Sequence, residues 1–486
     1  MYHIRCRGQM TVEDFVAPFG GKLDANNRWV KMARVMPWDM IEDIYSQSFK
    51  TENPDGRPPI PARIAFGALY IKEHENFPQE RTLQHITENN YMQYFLGLTE
   101  FNPEPLFDSS MMTYFAKRFS KEDMARINEE IYRRTHSTEE SPKDPEGGSG
   151  DSGNDGGDNG ENKGTLILDA TAAPADIRYP TDLSLLNECR EDTEKIIDSI
   201  WEKTERIGHK TAYSRKKARS GYLRIAKQRK PRKKQVRQAV REQLECVEKN
   251  VESLRKMLPM VDVEDYLRYI YLFETICNIA RQQRQHYDNP GEPIQNRIVS
   301  VRQPHVRPIV RGKARSEVEF GQKLGLSIVN GFTFIETQSW NNFAEGNTLK
   351  ASAEKFRKRH GVYPVAILAD KTYRNRENLA FCKKNGIRLS GPRLGRPKSS
   401  EIEVNRDLAY QDSCDRNIVE GRIGINKRRY GLGLIYARLE QTGELETAMN
   451  ILCMNVAHML RVLLRILIEQ LNSVFFDGFI ACYEMN

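Results

Sequence analysis

Two short apolar runs in this chain each end on an acid: Leu166-Ile167-Leu168-Asp169 and Ile367-Leu368-Ala369-Asp370. A run of that kind is the signature of a buried strand. A single aspartate at a strand tip is commonly a helix cap or a lone metal ligand. Two of them on neighbouring strands of one sheet place hard oxygen donors side by side, the ligand chemistry that magnesium takes. Two such ions a few ångström apart can activate an attacking oxygen and stabilise a leaving one at phosphorus. A third carboxylate would complete the set, and Glu420 is the candidate. It lies four residues after Arg416 and seven before Lys427, so all three share one helix face. An acid flanked by two bases suits a metal and a phosphate, but an exposed i, i+4 ion pair gives the same pattern.

The elements that must position these acids follow from periodicity. Thr165 to Asp169 reads as a strand, and Thr181 to about Gln285 as helix. Within that helical stretch Leu244, Val247, Val251, Leu254 and Leu258 repeat at spacings of three and four, a packing seam. Tyr266, Tyr269, Ile270, Phe273, Ile276 and Cys277 form a returning face, which together predict a long helical hairpin. Strands resume at Val318 and Phe320, at Leu326–Val329 and at Phe332–Ile335, followed by a helix over 347–359. Val365–Leu368 is a strand, 375–385 a helix and Ile387–Leu389 a strand. Helices cover about 412–427 and 452–471. This is the strand and helix order of an α/β, RNase H-like domain carrying a helical insertion, residues 183–300, after its first strand.

That insertion contains the sharpest charge feature. From Arg206 to Arg241 there are fifteen Lys or Arg and no Asp or Glu, against a net charge of only +8 for all 486 residues. Charge runs are usually solvated faces, but 36 residues without one acid repel themselves unless a polyanion is near. Arg215, Lys216, Lys217, Arg219, Lys230, Arg232, Lys233 and Lys234 are the candidates for DNA phosphates. Eight cysteines show no Cys-x-x-Cys pair and no zinc spacing with histidine, which fits reduced thiols in a cytoplasm. His3, Arg5 and Arg7 lead into no apolar leader segment. The greasiest stretch, Ile451 to Ile468, carries His458, Arg461 and Arg465, which favours a core helix over a membrane span. The expectation is a cytoplasmic, nucleoid-associated protein with no membrane contact.

Residues 137–164 carry eight acids to two bases from Glu139 to Lys163 and are rich in glycine. Such a segment cannot offset its ordering entropy, and it reads as a flexible acidic linker. Residues 1–136 before it form an all-helical domain. Ala62, Ala65, Phe66, Leu69 and Tyr70 recur at helical spacing, and Asp108 stands where a helix cap would precede Met111, Met112 and Phe115. Short helices with tight breaks suit a helix-turn-helix DNA reader and any small helical bundle alike.

Three segments together resemble the DDE transposases of bacterial insertion sequences: Leu168-Asp169-Ala170-Thr171, Ala369-Asp370-Lys371-Thr372-Tyr373, and Arg416-x3-Glu420-x6-Lys427. The family's tyrosine slot before the arginine holds Ser413 here, with Tyr410 out of register. Lys371-Thr372 replaces the usual Arg-Gly. Thr82-Leu83 and Tyr91 to Gly97 resemble the helical region that precedes the catalytic domain in these enzymes. The stretches Asp169–Pro180 and Val318–Gly321 resemble the same group. The resemblance implies a catalytic domain over 165–486. In it Asp169, Asp370 and Glu420 hold two Mg2+ ions (Mn2+ as a substitute), and Arg416 and Lys427 contact phosphates. It further implies cleavage at transposon ends, transfer of the freed 3′ hydroxyl into target DNA, and a homodimer that synapses two ends. A catalytically silent DNA-binding derivative, or a nuclease of the same fold, remains an alternative at this stage.

Overall fold

The computed structural model describes residues 11–49, 58–137, 162–204, 211–313, 316–391 and 402–484. The N-terminal reading at His3 to Arg7, most of the acidic linker and the first five residues of the basic span lie outside the described residues.

The N-terminal region is helical, as its periodicity predicts. It comprises α1 (Arg28–Val35), α2 (Trp38–Gln47), α3 (Ala62–Glu75), α4 (Gln79–Glu88), α5 (Asn90–Phe95), α6 (Met111–Ala116) and α7 (Lys121–Ser137). Trp29, Phe66, Tyr70 and Phe95 are fully buried among these helices. Arg63 of α3 donates to the carbonyls of Tyr94 and Phe95 at 3.1 and 2.9 Å, tying the end of α5 to α3. Asp108 does not cap α6. It accepts the amide of Ser110 at 2.9 Å and shapes the turn before the helix.

A mixed sheet follows, built from β1 (Thr165–Pro174), β2 (Arg307–Lys313), β3 (Ser316–Val329), β4 (Phe332–Ser339), β5 (Ala366–Leu368) and β6 (Arg388–Leu389). β1 is central. It runs antiparallel to β3 on one side and parallel to β5 on the other, and β6 extends the sheet parallel to β5. β2 and β4 both pair antiparallel with β3, β2 along its first half and β4 along its second. Sequence periodicity splits β3 in two and misses β2, whose Arg307, Pro308 and Arg311 break the apolar pattern. β3 and β4 are joined by Asn330-Gly331 with φ of +49° and +79°, the left-handed pair that a two-residue hairpin demands.

Between β1 and β2 lies the insertion. It is four helices rather than one hairpin: α8 (Asp182–Lys203), α9 (Arg215–Ala226), α10 (Lys233–Met257) and α11 (Val263–Asp288). Pro231 and Pro259 interrupt the helical pattern at the α9–α10 and α10–α11 joints. The seam residues Leu244, Val247, Val251, Leu254 and Leu258 are all buried, in a core separate from that of the sheet. Arg190 of α8 is buried in that core and compensated by Glu194 at 2.6 Å, Asn187 at 2.8 Å and Gln243 at 2.9 Å.

After the sheet strands come α12 (Leu349–His360), α13 (Arg376–Lys384), α14 (Ile402–Arg429) and α15 (Glu440–Glu484). The stretch Glu440–Glu469 of α15 is long and apolar enough to cross a membrane by length and composition. Its first half is instead core: Leu445, Met449, Leu452, Val456 and Met459 are buried. Asn455 of α15 accepts from the Thr333 amide of β4 at 3.0 Å and donates to Asn128 of α7 at 2.7 Å. Through α15 the N-terminal helices and the sheet share one continuous hydrophobic core.

Candidate active site

The parallel register of β1 and β5 pairs Thr165 with Ala366, Leu166 with Ile367 and Ile167 with Leu368. Two residues further along each chain stand Asp169, still within β1, and Asp370, just past the C-terminal end of β5. Side chains alternate along a strand, so Asp169 shares a face with Ile167. Ile167, Leu368, Ala366 and Ile328 of that face pack against Val419 of α14, with Ile423 beside them. Asp169 therefore shares the sheet face that packs on α14, the helix that carries Glu420, the residue after Val419, and Asp370 follows the end of β5.

Three further contacts fix this arrangement. Arg388 of β6 forms a two-pronged ion pair with Asp412 of α14, at 2.6 and 2.8 Å, anchoring the helix one turn before Arg416. The Ser390 hydroxyl accepts the Ala369 amide at 2.9 Å and holds the chain just before Asp370. Arg374 donates to the carbonyls of Leu389 and Ser390 at 2.8 and 2.6 Å and closes the loop after it.

Electrostatics link the groups. The Arg416 guanidinium lies 3.8 Å from the Asp370 carboxylate. Burial pushes the Asp169 carboxyl above the usual range. The amide of Ala170, donating at 2.8 Å, counteracts this, while the negative charges of Glu345 and Glu420 add to it and Arg416 opposes it. Glu420 itself is exposed, and Lys427 is half-buried in the last turn of α14. Tyr410, the tyrosine nearest the motif position held by Ser413, is 73% exposed.

Glu345 is a carboxylate that sequence reading passes over. It opens a 3-10 turn, Glu345–Thr348, between β4 and α12. No apolar strand runs directly into it, so the cue that marks Asp169 and Asp370 is lacking. The available cue is an acid at the first position of a helical turn. Its side chain is held by Lys323 of β3 at 3.1 Å.

DDE transposases are generally dependent on a divalent metal, and the chemistry of this donor set fits a hard cation: carboxylates only, two of them following paired segments of adjacent strands. As they stand, no three His, Cys, Asp or Glu side chains among the described residues are close enough to enclose an ion. Bases occupy part of the space, with Arg416 on Asp370 and Lys323 on Glu345.

On the insertion, Lys216, Lys217, Arg219, Lys230, Arg232, Lys233 and Lys234 are exposed. Arg215 differs from them: it is committed to Asp198 at 2.6 and 3.0 Å.

Comparison with known families matches two segments of the chain. The transposase DDE domain family matches residues 367–457, which carry Asp370, Arg416, Glu420 and Lys427. The family described as transposase domain (DUF772) matches residues 18–118, the N-terminal helices. No curated protein and no solved structure matches the chain. Both matches are to transposase families, and the DDE domain family indicates an enzyme that cleaves and transfers DNA strands. Together they support a DDE transposase of the insertion-sequence type, a family that implies binding to transposon DNA.

Proposed function

We propose that Asp169, Asp370 and Glu420 form the catalytic set of this transposase, on an RNase H-like sheet, and hold two Mg2+ ions. The observation that carries this reading is the parallel pairing of β1 with β5, two residues before Asp169 and Asp370, together with Arg416 of α14 at 3.8 Å from Asp370. The strand order supports the fold assignment: a central β1, antiparallel neighbours on one side and parallel ones on the other. When bound, the two ions lower the pKa of the attacking oxygen and neutralise charge building on the phosphate.

The chain's own groups bind and orient the DNA. Arg416 reaches the site mouth and grips the scissile phosphate, and Lys427, at the far end of α14, takes a phosphate further along the strand. The first step is attack of water on phosphorus at the transposon end, with loss of the 3′ oxygen as a hydroxyl. In the second, that hydroxyl attacks a target phosphate, one P–O bond forms and the target P–O3′ bond breaks. The exposed bases of the insertion track the DNA backbone, and the helices of residues 1–136 contribute to end recognition. Two copies of the chain synapse two ends.

Asp169→Asn and Asp370→Asn test the reading with pre-cut and uncut transposon-end DNA. Each variant is expected to bind ends as the unaltered protein does and to neither cut nor join. Retained cleavage in either variant refutes the assignment.

A further inference from the structure

α11 buries one face and leaves the other bare at its start. Phe273, Ile276, Ile279 and Ala280 lie in the core of the insertion. On the opposite side Val263, Leu267 and Tyr271 recur every fourth residue and are 75%, 65% and 67% exposed. At about 100° per residue these three fall within one narrow stripe. Met260, in the turn before α11, and Tyr266 are exposed beside it. Among the described residues of the insertion, these five are the only exposed large apolar side chains. Apolar residues scattered singly over a surface need no explanation, whereas a contiguous patch marks a contact surface.

The patch lies at the end of the insertion away from the sheet. The last turns of α11 meet the first residue of α8, with Gln283 donating to Asp182 at 3.0 Å, soon after the chain leaves β1. Its first turn meets the last residue of α8 instead, where Lys203 pairs with Asp265. Glu264 and Arg268 border the stripe on one side, one turn apart, and neither forms an ion pair with a described residue.

We propose that this patch is where two copies of the chain meet, antiparallel and across a two-fold axis at Leu267. This names the contact for the two-copy synapse proposed above and rests on that reading. A two-fold contact sets each residue against the one equally far from the axis on the other copy. Leu267 then meets its own counterpart, Val263 meets Tyr271, and Glu264 meets Arg268 twice. The charges favour this direction, because a parallel pair would set the Glu264 and Arg268 flank against Tyr266 and Ile270. With a whole exposed aromatic at roughly 150–250 Å2 and the aliphatic residues somewhat less, the open parts of the five side chains come to about 500 Å2 per copy. That is about 1,000 Å2 across the pair, the size at which specific interfaces begin, so the dimer is expected to separate on dilution.

Sedimentation velocity of the full-length protein without DNA, over a concentration series, reads this equilibrium. The unaltered protein is expected to dimerise reversibly. Leu267→Glu is expected to weaken association roughly tenfold or more, the scale of losing a central anchor. Leu267 is exposed, so the variant keeps its fold, and thermal unfolding run alongside checks this. Glu264→Arg and Arg268→Glu each place like charges together twice and should weaken association singly. Combined, they exchange the two charges and should restore it, a recovery that neither a parallel pair nor an unrelated partner would give. A protein that stays monomeric at every concentration, association that Leu267→Glu leaves unchanged, or a double exchange no better than the single ones overturns the inference. Pairing of two labelled transposon ends separates this from the two-copy reading itself. If the unaltered protein and Leu267→Glu pair ends equally well, this contact falls and the synapse stands. If the unaltered protein pairs no ends, the two-copy reading falls and the contact with it.

Discussion

Replacing Lys216, Lys217, Lys233 and Lys234 by glutamine removes four positive charges from the insertion without touching its core. All four are exposed, two in the first turn of α9 and two in the first turn of α10. α9 folds back along α10, with Gln243 donating to the Ala218 carbonyl at 2.9 Å. The two lysine pairs are thus separated by most of α9, whose 12 residues rise about 18 Å. That distance spans about five phosphates of one strand. If each lysine neutralises one phosphate, the slope of log K against log salt falls by about 3.6 for the quadruple variant. Between 50 and 200 mM salt the unaltered protein then loses about 150-fold more affinity than the variant does. Exposed Lys→Gln changes move stability by about 0.5 kcal/mol or less each, so the variant folds and a changed slope reports charge. Fluorescence anisotropy of a labelled transposon end across a salt series reads the slope. An unchanged slope refutes the DNA-tracking role of this surface. A uniform loss of affinity with the slope intact points to a folding defect and also refutes it.

Asp412→Ala removes the partner of Arg388 and loosens α14 one turn before Arg416. Arg388 is 39% exposed and water replaces part of the lost pair, so a cost of about 1–2 kcal/mol is expected, with strand transfer reduced and end binding intact. Asn455→Leu leaves the buried Thr333 amide without its acceptor and Asn128 without a donor. A destabilisation of about 2–4 kcal/mol is expected, read as a lower urea midpoint. Stability should also fall in acid. Burial, with Arg307, Arg359 and Arg422 beside them, pushes His305, His360 and His458 down to about 4 from 6.5. The unfolded chain takes up these protons near pH 6.5 while the folded protein does not, so this contribution is complete above pH 6.5 and is lost as pH falls toward 4. Urea midpoints that stay level from pH 7 to 4.5 would rule this out.

What could be read from the chain and what could not divide along a physical line. Asp169 and Asp370 were legible because a buried strand announces itself by an apolar run and the acid breaks that run at its end. The seam of α10 was legible for the same reason: five apolar residues at spacings of three and four have one way to be buried. β2 was not, because Arg307, Pro308 and Arg311 interrupt its apolar pattern in the sequence, as an edge strand tolerates. Glu345 was not, because its position depends on two turns meeting across Asn378 and on a salt bridge to a strand 22 residues earlier in the chain. Arg215 looked equal to its neighbours in a run of bases, yet Asp198, a full helix away, commits it to the fold. Local periodicity reports burial, whereas ion pairs between elements report only on the folded protein. The same distinction ranks the site residues. Asp169 and Asp370 stand on the backbone pairing of β1 with β5, and Glu420 on the packing of its neighbour Val419. The order of that dependence is the order in which substitutions elsewhere in the sheet and in α14 should disturb them.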